Sequence, residues 1–194
     1  MCECTANIFP GTKHVEGVGP LNAKIMLLGE APGADEDQTG VPFVGGAGRI
    51  LSAWLASSRI SRDSCYIDNV IQHRPPNNNI DLVDLGAAIP SLYQRILRVR
   101  PNLIMCLGNT SLQCFTNGTI GLWRGGRFPT TIGGQEFQTF ATYHPSFIMR
   151  QKKMWDVVVH DFVVAKRFSQ NFGYSEDTHY ILHPTSNEIK ECVF

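Results

Sequence analysis

The chain has 194 residues, equal numbers of basic and acidic side chains (17 each) and a hydrophobic content of 43%. This length and composition favour one globular domain with a full core, and they argue against binding to nucleic acid through bulk positive charge, although a local basic rim would suffice for an enzyme. The sequence shows neither a run of about eighteen apolar residues nor a signal peptide, so we expect a cytoplasmic protein without membrane contact, with nuclear or viral settings left open.

The predicted elements alternate between strand and helix, after an irregular segment over residues 1–23. The run KIMLL (24–28) is too short for an amphipathic helix and lacks alternation, which is typical of a strand buried on both faces. A long loop rich in glycine, proline and acidic residues follows, and then a helix over 46–57. Next come a second strand over 65–70 and a loop over 73–79, whose prolines and asparagines disfavour regular structure.

The second half of the chain continues the alternation. Apolar residues at helical spacing predict a helix that begins at Leu82 or Leu85 and ends near Arg98. The elements predicted after it are, in chain order, a third strand over 103–107, a short helix through Cys114, a Gly133-Gly134 hairpin turn within 130–137, a fourth strand over 139–143 and a last helix over 153–168.

This order predicts an α/β fold, a three-layer α/β/α sandwich around a mostly parallel four-stranded sheet. The domain is expected to cover residues 1–170. The remainder, 171–194, is a C-terminal extension that either packs on the domain or leads into a further domain. The loops after residues 28, 68 and 142 leave the carboxyl ends of strands, where open α/β sheets bind their ligands, so we expect them to converge on one site.

The loop after the first strand has the composition of a binding loop. Its glycines let the backbone approach a ligand closely, while its carboxylates can face that ligand. It ends in GGAG (45–48), whose backbone N–H groups open a helix and suit a phosphate or another anion. Such loops are common, so composition alone predicts no particular ligand.

The order of residues is more specific, because four stretches resemble the motifs of the family 4 uracil-DNA glycosylases. They are GEAPG with the following ED, G and PFVG-x-AG (29–48), DNV leading to RPP (68–76), LIMCLG (103–108), and YHPS with Arg150 (143–150). The resemblance implies a uracil-DNA glycosylase-like fold. It also implies an enzyme of base excision repair, which hydrolyses the N-glycosidic bond of a flipped deoxyuridine, releases uracil and leaves an abasic site.

The resemblance assigns the base to three side chains. Asn69 would read the O4 and N3–H edge of uracil, His144 would donate to O2 as negative charge develops, and the ring of Phe43 would stack on the base. Each has a plainer interpretation: a strand-ending turn, a structural histidine and a ring that anchors its loop. Further substrate-binding positions by the same resemblance are Gly29, Ala31, Gly33 and Ser146.

Glu30 and Glu36 complete the predicted catalytic set with His144. By resemblance they would orient the attacking water or stabilise the sugar cation, because Ala31 stands where other well-known uracil glycosylases have an aspartate. Either glutamate could instead accept loop N–H groups. The matched motifs contain no lysine to form a Schiff base, which predicts a monofunctional enzyme without lyase chemistry.

The segment after Ser146 is expected to contact DNA. Phe147 would head an apolar wedge that enters the base stack, and Arg150 would contact phosphate. Arg74, in the Pro-Pro loop, is a further phosphate candidate. An ordinary amphipathic helix start is the alternative for the wedge.

The chain departs from the family at its iron–sulfur site. Family 4 enzymes hold a four-iron–four-sulfur cluster on four cysteines, and the resemblance places these at Cys2, Cys4, His73 and Ala88, with the first pair one residue too close. At most two thiolates are left, which predicts that no cluster, no metal and no other cofactor is bound. A zinc ion on Cys2, Cys4 and His73 lacks an evident fourth ligand.

Two functions from different classes follow. The first is a uracil-DNA glycosylase that acts as a monomer on DNA containing uracil. The alternative is a catalytically weak or inactive glycosylase-fold module that binds DNA and is fused to, or bound by, a larger replication or repair protein such as a DNA polymerase. The missing cluster ligands and the zero net charge favour the alternative. The complete set of predicted base-contacting and acidic residues opposes it.

Overall fold

A five-stranded sheet carries the fold in the computed structural model, which describes residues 7–170. Its strands are, in chain order, β1 Ile25–Gly29, β2 Cys65–Asn69, β3 Leu103–Leu107, β4 Arg127–Ile132 and β5 Gln135–Thr142. The spatial order is β2-β1-β3-β5-β4, and all neighbours are parallel except β4, which pairs antiparallel with β5. The strands β1, β2 and β3 are buried along their whole length, as expected for parallel strands covered on both faces.

Helices cover both faces of the sheet. They are α1 Ala34–Thr39, α2 Gly46–Ser57, α3 Leu85–Val99, α4 Asn109–Gln113, α5 Ile120–Trp123, α6 Pro145–Arg150 and α7 Trp155–Gln170. Core residues of α3 join Met26, Leu28 and Ile104 on one face, and those of α2 and α7 join Leu27 and Met105 on the other. Because successive strand residues point to opposite faces, each apolar run supplies both core layers. The three-layer sandwich predicted from the sequence is confirmed.

The sheet has five strands rather than the predicted four. The additional strand, β4, lies at the edge and is joined to β5 through the predicted turn at Gly133 and Gly134, where φ is 55° and 78°. Pro129 stands inside β4 and argues against a strand in the sequence, because proline removes a ladder donor. At the edge of a sheet that loss is tolerated.

The long loop after β1 contains the short helix α1, which the sequence pattern did not predict. Its residues, ADEDQT, show no apolar period. The carboxylate of Glu36 accepts a hydrogen bond from the backbone N–H of Gly33 at its start, and Gly40 ends it in the left-handed region with φ 76°. The caps, rather than a hydrophobic face, specify this helix.

The predicted extension, residues 171–194, and the cysteines at positions 2 and 4 lie outside the described residues. Within residues 7–170, no helix is long and apolar enough to cross a membrane. Cys65, Cys106 and Cys114 are buried free thiols, as core cysteines should be. Burial raises the pKa of Cys65 to about 11 and that of Cys114 to about 12, so both stay protonated.

Candidate active site

A cavity of about 340 Å³ lies where β1, β2 and β5 end. The loops that follow these three strands all reach it, as the sequence predicts. Of the predicted site residues, those in its wall are Glu30, Ala31, Gly33, Glu36, Phe43, Asn69, His144 and Ser146. Its volume is at the lower end of the range for small-molecule sites, roughly 300–1,000 Å³.

Asn69, the last residue of β2, carries an unusual atom in this wall. The residue is 2% exposed, and its carboxamide Oδ1 has no hydrogen-bond partner among the described residues. Leaving a buried acceptor unpaired costs about 1–3 kcal/mol, so the atom is suited to a donor on a bound ligand. Gly29 leaves room beside it: a Cβ on that glycine would lie 2.4 Å from Asn69 Oδ1 and 2.4 Å from Cζ of Phe43.

A buried arginine fixes the backbone around Asn69. Arg95, on α3, donates Nε to Oδ2 of Asp68 at 2.7 Å and Nη2 to the carbonyls of Asn69 and Val70 at 2.9 and 3.3 Å. The other Asp68 oxygen, Oδ1, accepts the N–H of Asn69 at 2.8 Å. The ion-paired side chains are 5% and 1% exposed. Charged hydrogen bonds therefore hold both the backbone N–H and the carbonyl of Asn69, which restricts the position of its carboxamide.

Phe43 forms another part of the wall, with its backbone in a rare conformation. Its φ is 54°, in the left-handed region, and the residue is 6% exposed. The ring centroid lies 6.0 Å from that of His144. The carbonyl of Phe43 lies so close to Gly48 of α2 that a Cβ there would be 1.8 Å from the oxygen, so this helix position requires glycine.

His144 caps the N-terminus of α6 through its own side chain. Nδ1 accepts the backbone N–H of Ser146 at 3.2 Å and lies 2.8 Å from the Ser146 hydroxyl. A ring nitrogen that accepts carries no proton, so the neutral imidazole has its proton on Nε2. Burial, with a smaller contribution from the charge of Arg150, lowers the pKa of His144 to about 4. The ring is therefore a neutral donor at neutral pH.

A buried polar trio supports the end of β5, two residues before His144. Thr142 donates its hydroxyl to Oδ2 of Asp161 at 2.6 Å, and Arg124 donates Nη1 to Oδ1 at 2.8 Å. The ion-paired side chains are 6% and 2% exposed. Burial raises the pKa of Asp161 to about 6, against the opposing effects of Arg124 and Thr142. The trio anchors the strand from which the histidine loop departs.

The two predicted catalytic glutamates have different surroundings. Glu36 is 8% exposed, and its carboxylate accepts the backbone N–H groups of Gly33, Val44 and Gly45 at 3.0, 2.9 and 2.8 Å. The N–H groups of the glycine-rich segment that we expected to be available for an anion are therefore partly bound by a side chain of the same loop.

Glu30 is partly exposed, lines the cavity and accepts the hydroxyl of Thr110, at the start of α4, through Oε2. Sequence analysis did not find Thr110 as a partner of this glutamate. No local pattern links positions that are 80 residues apart in the chain.

The predicted DNA-contacting residues lie outside the cavity lining. Phe147 stacks on Tyr143 with ring centroids 4.4 Å apart, and Ile148 is buried. Met149 is 57% exposed and lines the cavity, so it is the apolar side chain of α6 that faces outward. Arg150 is exposed, and Arg74 donates Nε to Asn78 at 2.8 Å. Phe147, Ile148 and Met149 are consecutive apolar residues, and the geometry of helix α6 determines which of them faces outward.

The described residues do not fit the four-cysteine cluster implied by the resemblance. Nδ1 of His73 lies 3.1 Å from the Thr12 hydroxyl, and Ala88, which has no ligating atom, packs in the core. Within residues 7–170, no group of three or more His, Cys, Asp or Glu side chains could hold a metal ion. In this part of the fold, reciprocal hydrogen bonds of 2.8 Å between Asn7 and Asp84 join the N-terminal segment to α3.

Comparison with known proteins relates this chain to one family. The sequence profile described as "Uracil DNA glycosylase superfamily" matches residues 16–164. A protein named type-4 uracil-DNA glycosylase from Thermotoga maritima is 37% identical over 168 residues, which cover 84% of this chain and 86% of the relative. One of the same name from Archaeoglobus fulgidus is 35% identical over 174 residues, 86% of each chain. A DNA polymerase of Bacillus phage SP01 is 28% identical over 152 residues, 77% of this chain but 16% of the polymerase. The chain belongs to the uracil-DNA glycosylase superfamily.

Proposed function

We propose that this protein is a monofunctional uracil-DNA glycosylase, which hydrolyses the N-glycosidic bond of a deoxyuridine extruded from DNA. The products are free uracil and an abasic site. The relatives that this chain matches over most of their length support this proposal. One observation of the site carries it: a buried carboxamide oxygen on Asn69, which has no partner among residues 7–170, lies in the same cavity as Phe43 and His144. Uracil offers a donor at N3–H, which cytosine lacks because its N3 is an acceptor.

The departing uracil carries the negative charge of the transition state, and His144 is the proposed group that stabilises it. The accepting Nδ1 leaves a proton on Nε2, which would donate to uracil O2. A neutral donor suits this task because it needs no proton from solvent and keeps its hydrogen bond over a wide pH range. A preorganised donor of this type contributes about 2.7–4 kcal/mol to the transition state.

Glu30 is the proposed water-positioning group, and Glu36 is the proposed organiser of the loop. The carboxylate of Glu36 already accepts three backbone N–H groups. Glu30 lines the cavity and is held by the Thr110 hydroxyl through one oxygen. In this assignment a water on Glu30 would attack the sugar C1′, while Glu36 maintains the backbone that places Phe43 against the base.

DNA contacts are proposed around the mouth of the cavity. Met149 would enter the space left by the extruded base, and Arg150 would contact a phosphate nearby. Arg74 stays a candidate for a second phosphate. Phe147, packed on Tyr143, would support this surface rather than enter the stack. We also propose that the enzyme acts as a monomer, because one chain supplies all the groups used here.

A second candidate function is a DNA-binding module without strong catalysis. The match to the phage DNA polymerase favours it, because there a segment of similar sequence is part of a much longer protein. Glu30, Asn69 and His144 oppose it, since a module that only binds DNA does not need a neutral donor and a carboxylate in one cavity.

Release of free uracil from a single-stranded oligonucleotide separates the two candidates. We expect release by the wild type and a loss of about a hundredfold to a thousandfold in rate for His144→Ala, at unchanged affinity for the oligonucleotide. His160→Ala is the matched control, because this partly buried histidine lies on α7 outside the cavity lining. Binding by the wild type without any release of uracil would establish the second candidate instead.

The absence of an iron–sulfur cluster is a separate proposal. It rests on the residues at positions 73 and 88, neither of which supplies a thiolate. Iron and zinc analysis of the purified protein tests it. Stoichiometric iron would overturn it, whichever function the uracil assay supports.

A further inference from the structure

Phe43 is held in an unfavourable conformation, and one side chain outside the cavity lining contributes to that restraint. A non-glycine residue in the left-handed region costs about 1–3 kcal/mol and persists only where its surroundings fix it. Arg62, in the turn before β2, donates Nη2 to the carbonyl oxygens of Phe43 and Pro42 at 3.0 and 3.3 Å. These carbonyls belong to the two peptide bonds that flank Cα of Phe43.

The same guanidinium also ties the loop to α2. Its Nη1 donates to the hydroxyl of Ser52 at 3.1 Å, and that hydroxyl donates to the carbonyl of Gly48 at 3.0 Å. Gly48 is the residue whose missing side chain admits the Phe43 carbonyl. Arg62 therefore connects three segments next to Phe43: the loop after β1, the first turns of α2 and the turn that precedes β2.

Arg62 is partly buried, and its hydrogen-bond partners are neutral groups. Burial lowers the pKa of Arg62, which reflects partial loss of hydration of the charge. None of the ion pairs among residues 7–170 includes this arginine. Its N–H groups donate to neutral oxygens. The hydrogen bonds to the carbonyls of Pro42 and Phe43 restrain the backbone of Phe43, whose ring forms part of the cavity wall.

We infer that Arg62 is a positioning residue, which sets the plane of the Phe43 ring for stacking on the extruded base without touching DNA. The inference rests on the proposed glycosylase function. The planar fork is needed because two carbonyls and a hydroxyl lie in different directions, and a lysine ammonium on a flexible stem meets such a set poorly. Arg62 thereby acts on the base only through Phe43.

A double-mutant cycle in single-turnover uracil release tests this inference. Arg62→Ala should slow release about tenfold, because a small displacement of a base-contacting group is costly in rate. Phe43→Ala should slow it at least as much, and the double variant should be no slower than Phe43→Ala, because Arg62 has nothing left to position. Arg62→Lys should lie between the wild type and Arg62→Ala.

Arg98→Ala is the matched control, since Arg98 also joins two segments of the chain by hydrogen bonds, to the side chains of Tyr66 and Glu16, but contacts no residue of the cavity in this way. It should release uracil at the wild-type rate. Should Arg62→Ala not fold, Arg62→Lys takes its place in the same cycle. The inference would be overturned if the Arg62 substitution slowed uracil release by the same factor in the wild type and in Phe43→Ala. A folded Arg62→Ala variant with the wild-type rate would also overturn it. A wild type that releases no uracil would overturn the proposed function itself and this inference with it.

Discussion

The two walls of the cavity are held in place by different means. Asn69 ends a core strand, and the buried Arg95–Asp68 pair fixes its backbone at 5% and 1% side-chain exposure. Phe43 stands in a loop with left-handed φ, where Glu36 and Arg62 bind backbone groups of that loop. Asn69, the residue proposed to select uracil, therefore belongs to the buried sheet of the core. Phe43, the residue proposed to stack on the base, also packs in the core, but its conformation depends on hydrogen bonds that Glu36 and Arg62 make with the backbone of its loop.

The largest expected effect is on the first wall. Arg95→Met leaves the carboxylate of Asp68 buried without its partner, and loss of one member of a buried pair costs about 3–5 kcal/mol. Urea denaturation should show this loss in the free energy of unfolding. Arg98→Ala, which removes the exposed pair with Glu16, should cost about 0–1 kcal/mol. Similar losses for the two variants would show that the buried Arg95–Asp68 pair contributes no more to stability than an exposed ion pair.

Substitutions that weaken the loop around Phe43 should lower the free energy of unfolding by a smaller amount. Glu36→Gln replaces a carboxylate oxygen with an amide that cannot accept from Gly33, and we expect a loss of about 1–3 kcal/mol, measured in the same way. Asp37→Asn on the same helix is the control, because Asp37 accepts one N–H, from Lys13. Glu30→Gln should instead slow uracil release with little change in stability. The reverse pattern for the two glutamates would exchange their proposed roles.

Base selection should depend on the first wall. Asn69→Asp should relax discrimination between uracil and cytosine by about 1–3 kcal/mol, roughly tenfold to a hundredfold in relative rate, because a side-chain pair of this kind discriminates by that amount. Paired oligonucleotides with uracil or cytosine at one position measure the ratio. Unchanged discrimination would show that another group reads the base edge.

The last expected effect, which is confined to acid pH, is a pH dependence that belongs to His144. Its pKa is lowered by burial from 6.5 to about 4, so between these values the folded protein binds fewer protons than the unfolded chain. Its contribution to stability is complete above pH 6.5 and is lost as the pH falls toward 4. The free energy of unfolding of the wild type should therefore fall faster with acid than that of His144→Asn. Asp161, with a pKa of about 6, titrates in both proteins and cancels.

Activity provides the second part of that test. Uracil release by the wild type should not decline as the pH passes 6.5, the ordinary pKa of histidine, because the partly buried ring is still neutral there. A midpoint of the rate profile at that pH would show that the ring titrates normally and would remove the argument for a neutral donor.

How much was predictable from sequence differs between fold and site. The helices α2, α3 and α7 and the strands β1, β2 and β3 were predicted to within about two residues, because the helices have a regular apolar period and the strands are largely apolar runs. Strand β5 begins at Gln135, four residues before the predicted start at 139. Helix α1 and strand β4 were not predicted, since α1 has no apolar face and Pro129 interrupts β4. Their presence depends on caps and on pairing with β5, which act over distances that a local pattern does not cover.

By itself the sequence determined the alternation of strand and helix, the loops that meet at one edge of the sheet, and the family motifs with their candidate residues. These follow from short-range periodicity and from residue order. Only the tertiary structure decided which glutamate has its carboxylate bound by backbone N–H groups, which nitrogen of His144 accepts, that Met149 and not Phe147 faces outward, and that Arg62 and Arg95 hold the two walls. The physical reason is that hydrogen-bond partners and burial are set by residues distant in the chain, and these become neighbours only when the sheet and its two helical layers have packed.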